Sequence, residues 1–214
     1  MSKRKKLLSY FLKLIVIVAA TVGIWKTAEM CGDCAFMYFT IQSNILIAII
    51  CAIGAFLLHS NKSISNAWFI FKFVGTVAIT LTGAVFCFVL APNGSDVWIL
   101  ANFLTHVLVP LTAIADFFLT ATQSEISKKS VLWVTVPPTI YAIYAGIGYI
   151  QNWAFDGGLN YPYFFLNWGS PAGALGFTKG VPYMGTVWWI LALLIFLILV
   201  GFLYLAILKR LRKI

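Results

Sequence analysis

Charged residues are scarce in this chain. Of 214 residues, 15 are Lys or Arg and 6 are Asp or Glu, so that charged residues make up 10% of the total. Hydrophobic residues make up 62%, and the mean hydropathy is +0.95. A chain with so few charges cannot cover a surface in water, and its composition is typical of a protein that lies mostly in a lipid bilayer. A soluble domain is therefore excluded.

Residues that bind metals or perform common hydrolytic chemistry are also few. The chain has 2 His and 4 Cys, and a closely spaced pair such as Cys31 and Cys34 supplies fewer ligands than a zinc site needs. We therefore expect no metal and no cofactor. A Gly-x-Ser-x-Gly motif is absent, which excludes the usual nucleophile turn of a serine hydrolase. No internal repeat is visible, so nothing favours an inverted-repeat transporter.

Six apolar runs are long enough to cross a hydrocarbon core, which requires ~20 residues in a helix. They predict an all-α fold, a six-helix transmembrane bundle that forms a single domain over residues 1–214. The first run has a basic start but no cleavage site after it, so we expect it to remain as a helix. The predicted spans are Leu7–Trp25, Phe36–Leu58, Trp68–Ala91, Trp98–Thr120, Leu132–Gln151 and Pro182–Leu208.

The basic residues that flank these runs are unevenly distributed. Lys62, Lys128, Lys129 and the basic residues of the two tails lie on one side, whereas Lys26 and Lys179 lie on the other. Because positive charges in short loops remain cytoplasmic, we predict a cell-membrane protein with both termini in the cytoplasm. Its net charge of +9 is then a signal for lipid headgroups as partners. No nucleic-acid module is visible, so nucleic acid is not an expected partner.

The second run begins with four side chains that form hydrogen bonds: Thr40, Gln42, Ser43 and Asn44. At helical spacing Thr40, Ser43 and Asn44 share one face. That face should turn into the bundle, because lipid offers no partner for a hydroxyl or an amide. Two interpretations are open. The hydroxyls bond to their own helix while Asn44 links two helices, or the face belongs to a functional site.

The fourth run contains a histidine at membrane depth, His106, on the same stripe as Asn102 and Asp116. Pro110 has no N–H for the carbonyl of His106, so a kink is expected beside the imidazole. An ionisable residue at this depth is either functional or bonded to a Thr or Asn on another helix. Asp116 lies near the cytoplasmic end, at a depth similar to that of Lys72 in the third run. These two residues predict a buried structural ion pair.

The longest connection, at about residues 152–181, is rich in aromatic residues and glycine. Loops of this length are usually functional, and this one is too aromatic for disorder. We expect an ordered cap over the outer end of the bundle. The cap is either partly a lid or only a belt of aromatic side chains at the membrane interface.

Three segments spread over most of the chain carry a resemblance to a known family. They are Tyr38-Phe39-Thr40-Ile41-Gln42-Ser43-Asn44, Asn102-Phe103-Leu104-Thr105-His106-Val107-Leu108-Val109-Pro110, and Tyr161-Pro162-Tyr163 with Phe165-Leu166-Asn167. In these segments the chain resembles the bacterial Pr6Pr family of integral membrane proteins. The wider group includes eukaryotic androgen-induced and androgen-dependent membrane proteins, which hydrolyse fatty acid esters of hydroxy fatty acids with a Thr and a His inside the membrane.

The resemblance implies an intramembrane hydrolase of lipid-like esters, in which Thr40 is the nucleophile and His106 its base. We expect these two side chains to face each other across a cavity in the outer half of the bundle, beneath the long connection. Around both residues the sequence departs from the eukaryotic pattern. Ser43 is the alternative hydroxyl, and the alternative function is a non-catalytic scaffold or a carrier of a lipophilic solute. The residues predicted to bind substrate or the developing oxyanion are Asn44, Gln42, Ser43 and Asn102.

Overall fold

The computed structural model describes residues 2–60, 65–121 and 126–212. Within these ranges six helices are long and apolar enough to cross a membrane. They are α1 (Lys3–Cys31), α2 (Phe39–His59), α3 (Asn66–Val85), α4 (Leu100–Thr120), α5 (Lys129–Ile150) and α6 (Thr186–Leu211). The prediction of an all-α, multi-pass membrane protein is therefore confirmed.

Six successive spans return the chain to the side on which it began. The side on which α1 begins and α6 ends is named the terminal end. The opposite side, named the loop end, holds the short helix Gly32–Met37 and the long connection at 151–185. Of the basic residues used to predict orientation, Lys62 and Lys213 lie outside the described residues.

The ends of α1 and α6 differ from the prediction. The side chain of Ser2 accepts the N–H of Lys5 at 3.3 Å, so α1 is capped before its apolar run begins. At the other end of the chain, Gly185 donates to the carbonyl of Gly176 at 2.8 Å and Thr186 to that of Gly173 at 3.1 Å. These bonds hold the preceding residues in the loop, so α6 begins at Thr186, four residues after the predicted start near Pro182.

Buried apolar side chains join the helices in three clusters. The first brings α3, α4, α5 and α6 together, the second joins α1, α2, α3 and α4, and the third connects α5 to the long connection. Representative members are Phe73 and Phe117 in the first cluster, Val16 and Ile50 in the second, and Tyr141 and Phe165 in the third. The third cluster fixes the long connection against the bundle, as expected for an ordered cap.

Prolines mark irregular turns in α4 and α5. In α4 the residues Leu104–Leu108 form a π-helical turn just before Pro110. Pro110 has no N–H for the carbonyl of His106, and the regular α-helical hydrogen-bond pattern is interrupted here by the π-helical turn. In α5 the segment Lys129–Thr135 is a 3₁₀ helix, and Pro137 and Pro138 occupy the first turn of the α-helix that follows. Proline is tolerated in that position because the first N–H groups of a helix have no intrahelical partner.

Candidate active site

Thr40 and His106 meet at the loop end of the bundle. Thr40 is the second residue of α2, and His106 lies in the π-helical turn of α4. Thr40 Oγ1 is 3.2 Å from His106 Nε2, within hydrogen-bond distance. His106 is buried and Thr40 is half-buried. The predicted proximity of these two side chains is confirmed.

The second ring nitrogen of His106 determines the tautomer. Nδ1 is 3.0 Å from the carbonyl oxygen of Asn102 and 3.0 Å from Thr105 Oγ1, which donates its own proton to the carbonyl of Ala101 at 2.9 Å. Both partners therefore accept at Nδ1, so Nδ1 carries the proton in the neutral imidazole. Nε2 is then unprotonated and accepts the hydrogen bond from the Thr40 hydroxyl. This is the arrangement that a general base requires.

Helix α3 and the residues after it hold His106 from two directions. The ring of Phe86 stacks on the imidazole with a centroid distance of 4.1 Å and an interplanar angle of 23°. Gly83 packs against the backbone of the same residue, because a Cβ at this position would lie 2.8 Å from the carbonyl oxygen of His106. The carbonyl oxygen of His106 thus faces α3 at Gly83. Phe86 therefore positions the ring of His106, and Gly83 positions its backbone.

Tyr163, from the long connection, is the third side chain at this point. Its hydroxyl is 3.4 Å from Thr40 Oγ1 and accepts the backbone N–H of Thr40 at 3.3 Å. The ring stacks on Phe165 with centroids 5.1 Å apart. Burial raises the pKa of Tyr163, so its hydroxyl keeps its proton at neutral pH. No role was predicted for Tyr163, and its place in the segment Tyr161-Pro162-Tyr163 was the available signal. Thr40, His106 and Tyr163 are named the loop-end site.

Asn44 lies one helical turn after Thr40 and is completely buried. Its amide nitrogen donates to the carbonyl of Thr40 at 2.8 Å and to the carbonyl of Thr105 at 3.1 Å. An amide has two N–H groups, so both are used. Asn44 therefore links α2 to α4 directly behind the loop-end site, and no N–H remains to bind an oxyanion.

Ser43 and Gln42 lie outside the contact between Thr40 and His106. Ser43 Oγ donates to the carbonyl of Thr40 at 3.0 Å and is 2.7 Å from Thr82 Oγ1 on α3. Gln42 is exposed, and its amide donates to the carbonyl of Phe36 at 3.2 Å. Neither side chain is hydrogen-bonded to His106, so the alternative hydroxyl lacks the base that Thr40 has.

Asn102 contributes to the site through its backbone and not through its side chain. Its amide donates to the carbonyl of Val97 at 2.9 Å, which ties the start of α4 to the preceding segment. Its own carbonyl accepts from His106 Nδ1. Since every residue has a carbonyl, the sequence alone could not reveal this contribution.

An apolar cavity of about 60 Å³ opens beside Thr40 and Tyr163. It lies between α2, α3, α5, α6 and the long connection, which covers it with Phe165 and Leu166. We expected a cavity between Thr40 and His106. Thr40 lines the cavity and His106 does not, because the two side chains are in direct contact and leave no space between them. The remaining lining residues are Phe39, Leu81, Thr82, Val85, Leu90, Pro138, Tyr141, Ala142, Ile190, Leu193 and Leu194.

The predicted ion pair lies at the terminal end. Lys72 Nζ is 2.6 Å from Asp116 Oδ2, and both side chains are buried, so the prediction is confirmed. Lys13 was not predicted as a member, although it interrupts the first apolar run: its Nζ is 2.5 Å from Asp116 Oδ1. Ser9 donates to the same oxygen at 2.7 Å, and Thr120 accepts from Lys72 at 2.7 Å. These five residues are named the terminal-end cluster.

No family model, curated protein or solved structure matches this chain. Membership of the Pr6Pr family therefore stays a prediction. The chemistry of the loop end follows instead from the hydrogen bonds around Thr40 and from the cavity beside it.

Proposed function

We propose that this protein is an intramembrane threonine hydrolase that cleaves lipid-like esters. The observation that carries the proposal is the hydrogen bond between Thr40 Oγ1 and His106 Nε2, on a ring whose Nδ1 is bonded to the carbonyl of Asn102. A Thr hydroxyl is a weak nucleophile until a base accepts its proton, and a neutral imidazole is the usual base. Thr40 also lines the apolar cavity. The hydroxyl therefore has both a base and space for a substrate.

The reaction has two halves. In the first, Thr40 Oγ1 attacks the ester carbonyl and His106 takes the hydroxyl proton. The bond to the alcohol breaks, His106 returns the proton to the alkoxide, and the acyl group remains on Thr40. In the second, water attacks this acyl ester and His106 takes a proton from the water. As the bond to Thr40 breaks, the proton passes to Oγ1, and the carboxylic acid leaves.

The orientation of His106 does not depend on an acidic residue. In the common triads a carboxylate bonds to the second ring nitrogen. Here the carbonyl of Asn102 and the hydroxyl of Thr105 do so. Asp116 lies ten residues further along α4, roughly 15 Å away at ~1.5 Å per residue. A neutral carbonyl stabilises an imidazolium less than a carboxylate does, so we expect slow turnover.

The cavity favours a substrate with a narrow apolar chain. Its lining is almost entirely hydrocarbon, with Pro138 and Ala142 of α5 on one side and Ile190 and Leu194 of α6 on the other. Its volume of about 60 Å³ has room for a few water molecules, so a bulky ring would need a larger displacement than an acyl chain. Fatty acid esters of hydroxy fatty acids, which the family resemblance suggests, belong to this class.

The distribution of basic residues supports an orientation for the site. The basic tails lie at the terminal end, and both are cytoplasmic if the positive-inside rule holds. The loop-end site then faces the outside of the cell membrane. A substrate with long acyl chains would reach Thr40 from the outer leaflet.

A fluorophosphonate probe tests the nucleophile. We expect the purified protein to be labelled at Thr40, with labelling lost in Thr40→Ala and strongly reduced in His106→Ala. Ser43→Ala is the matched control, because Ser43 is a buried hydroxyl three residues away that bonds to Thr82 and not to His106. Labelling that persists in Thr40→Ala would show that another residue is the nucleophile.

The second candidate is a non-catalytic scaffold or a carrier of a lipophilic solute. The interhelical bonds of Ser43 and Asn44 favour it, since such bonds hold membrane helices together without any chemistry. A panel of fatty acid esters separates the two functions. Turnover that depends on Thr40 supports the hydrolase, and the absence of both turnover and labelling supports the scaffold or carrier.

A further inference from the structure

The proposed reaction needs a hydrogen-bond donor that the predicted residues do not provide. When Thr40 attacks an ester, the carbonyl oxygen becomes an oxyanion, and hydrolases place a donor where this charge develops. Both N–H groups of Asn44 are bonded to backbone carbonyls, and the amide of Gln42 is exposed and bonded to Phe36. The backbone N–H of Thr40 is bonded to Tyr163. The donor has to come from another group.

The hydroxyl of Tyr163 has a proton available in the right place. Its oxygen accepts the N–H of Thr40 at 3.3 Å, so the hydroxyl proton is not needed for that bond. Oγ1 of Thr40 lies 3.4 Å away and already donates its own proton to His106, so it can only accept from Tyr163. Tyr163 and Thr40 both line the cavity. The phenolic O–H can therefore donate to the oxygen that attacks the substrate.

We propose that the hydroxyl of Tyr163 stabilises the oxyanion of the tetrahedral intermediate that forms on Thr40. This inference rests on the proposed ester hydrolysis. The oxyanion and Oγ1 are bonded to the same carbon atom, so the oxyanion forms next to the oxygen that Tyr163 already contacts. The resting contact of 3.4 Å is long, and the bond tightens only when negative charge appears. A donor that binds the transition state better than the ground state raises kcat and leaves KM almost unchanged.

The position of Tyr163 is fixed before any substrate binds. Its ring stacks on Phe165 and makes an edge contact with Tyr38 at a centroid distance of 5.6 Å. A donor held in place by packing costs no reorganisation during the reaction. The raised pKa of Tyr163 supports the role, because a phenol donates a hydrogen bond and a phenolate does not. The long connection thus supplies part of the reaction centre as well as its cover.

The test compares Tyr163→Phe with Tyr161→Phe. Both variants remove one hydroxyl from the same segment, but Tyr161 neither forms a hydrogen bond with Thr40 nor lines the cavity. We expect Tyr163→Phe to lower kcat on a fatty acid ester by about 100-fold or more, as the loss of one oxyanion donor does elsewhere. KM should change little, and Tyr161→Phe should retain the kcat of the wild type. The unfolding temperatures of the two variants show whether both are folded.

A second measurement does not require Tyr163→Phe to fold. A fluorinated tyrosine at position 163 keeps the shape of the side chain but has a more acidic hydroxyl. Its kcat should fall as the pH rises through the lowered pKa of the phenol, because the donor is then lost. A pH profile identical to that of the wild type would overturn the proposal.

The outcomes separate this inference from the proposed function. If the wild type turns over the ester and is labelled at Thr40 while Tyr163→Phe retains its kcat, Tyr163 is not the donor and the hydrolase stands. If the wild type shows neither turnover nor labelling, the hydrolase itself is overturned and the role of Tyr163 with it.

Discussion

The two polar clusters in this apolar bundle differ in charge, in closeness of contact and in access. The loop-end site consists of neutral groups whose contacts with Thr40 range from 3.2 to 3.4 Å, and it borders a cavity. The terminal-end cluster joins Lys13, Lys72 and Asp116 by contacts of 2.5 and 2.6 Å, and these residues do not line that cavity. The longer hydrogen bonds of the loop-end site, next to a cavity, are suited to groups that exchange a proton with a substrate. The short, buried ion pairs of the terminal-end cluster are suited to linking helices.

The energetic demands of the two clusters differ as well. Removing charges from water costs several kcal/mol per ion, and the mutual attraction of Lys and Asp offsets this only while each carboxylate oxygen keeps its partners. Ser9, Lys13 and Lys72 supply those partners, and Thr120 accepts a further hydrogen bond from Lys72. The loop-end site carries no formal charge at rest, so a single lost side chain there leaves no buried ion. We therefore expect substitutions at the loop end to affect activity and substitutions at the terminal end to affect stability.

The largest expected effect is the loss of turnover in Thr40→Ala and in His106→Ala. Because nucleophile and base act as one unit, each variant should lose about 10⁴-fold or more in kcat, and the double variant should lose little beyond that. Ester turnover by the purified variants measures the loss, and their unfolding temperatures should stay near that of the wild type. A double variant whose loss equals the product of the single losses would show that the two residues act independently.

At the terminal end, Asp116→Asn should reduce the free energy of unfolding by roughly 3 to 5 kcal/mol, because it leaves two buried lysines without a carboxylate. Unfolding in mild detergent measures the change. Glu29→Gln is the matched control, since its ion pair with Lys26 is about half exposed and exposed pairs contribute little to stability. Equal effects of the two substitutions would contradict a structural role of the buried charge.

Combined substitutions at Lys72, Asp116 and Lys13 test whether Lys13 depends on the terminal-end cluster. Replacing Lys72 and Asp116 by apolar residues should recover little stability, because Lys13 then remains buried without its partner. Replacing Lys13 by Met as well should restore most of the free energy of unfolding, since buried ion groups can often be exchanged for apolar ones at little cost. Full recovery in the double variant would show that Lys13 does not depend on Asp116.

The smallest expected effect is that of Gly83→Ala. The new Cβ would lie 2.8 Å from the carbonyl oxygen of His106, so the π-helical turn has to move. A displacement of about 1 Å can lower a rate by about 100-fold, and we expect kcat to fall by between 10- and 100-fold. In Gly146→Ala the added Cβ meets nothing within 4 Å, so this control should turn over like the wild type. If the kcat values of both variants match the wild type, Gly83 does not position His106.

The sequence allowed the helices and the most unusual polar contacts to be predicted, but not the partners that depend on packing. Thr40, His106, Lys72 and Asp116 stood out because polar side chains are rare in apolar runs. Whether both N–H groups of Asn44 are hydrogen-bonded depends on how closely α2 approaches α4. The hydrophobic periodicity of the sequence does not specify that distance. Tyr163 reaches Thr40 only through the path of the long connection, and no local pattern predicts such a path.

The helix ends could not be derived from hydropathy for a related reason. A hydropathy pattern shows which residues can lie in the bilayer. A helix, in contrast, continues as long as its backbone hydrogen bonds continue. For this reason α1 extends to Cys31, well beyond the predicted end at Trp25. Its end coincides with Gly32, whose φ of +68° is a conformation that glycine adopts without strain.

The location of Thr40 at the second position of α2 has an electrostatic consequence. The peptide dipoles of a helix add up to a partial positive charge at its N-terminus, which stabilises a nearby negative charge by about 0.3 to 1 kcal/mol and by up to ~2 kcal/mol where it is partly buried. The charge that develops when Thr40 gives up its proton therefore lies in the favourable field of the 21 residues of α2. This field weakens beyond the first turn, so a hydroxyl at the position of Ser43 would receive less of it.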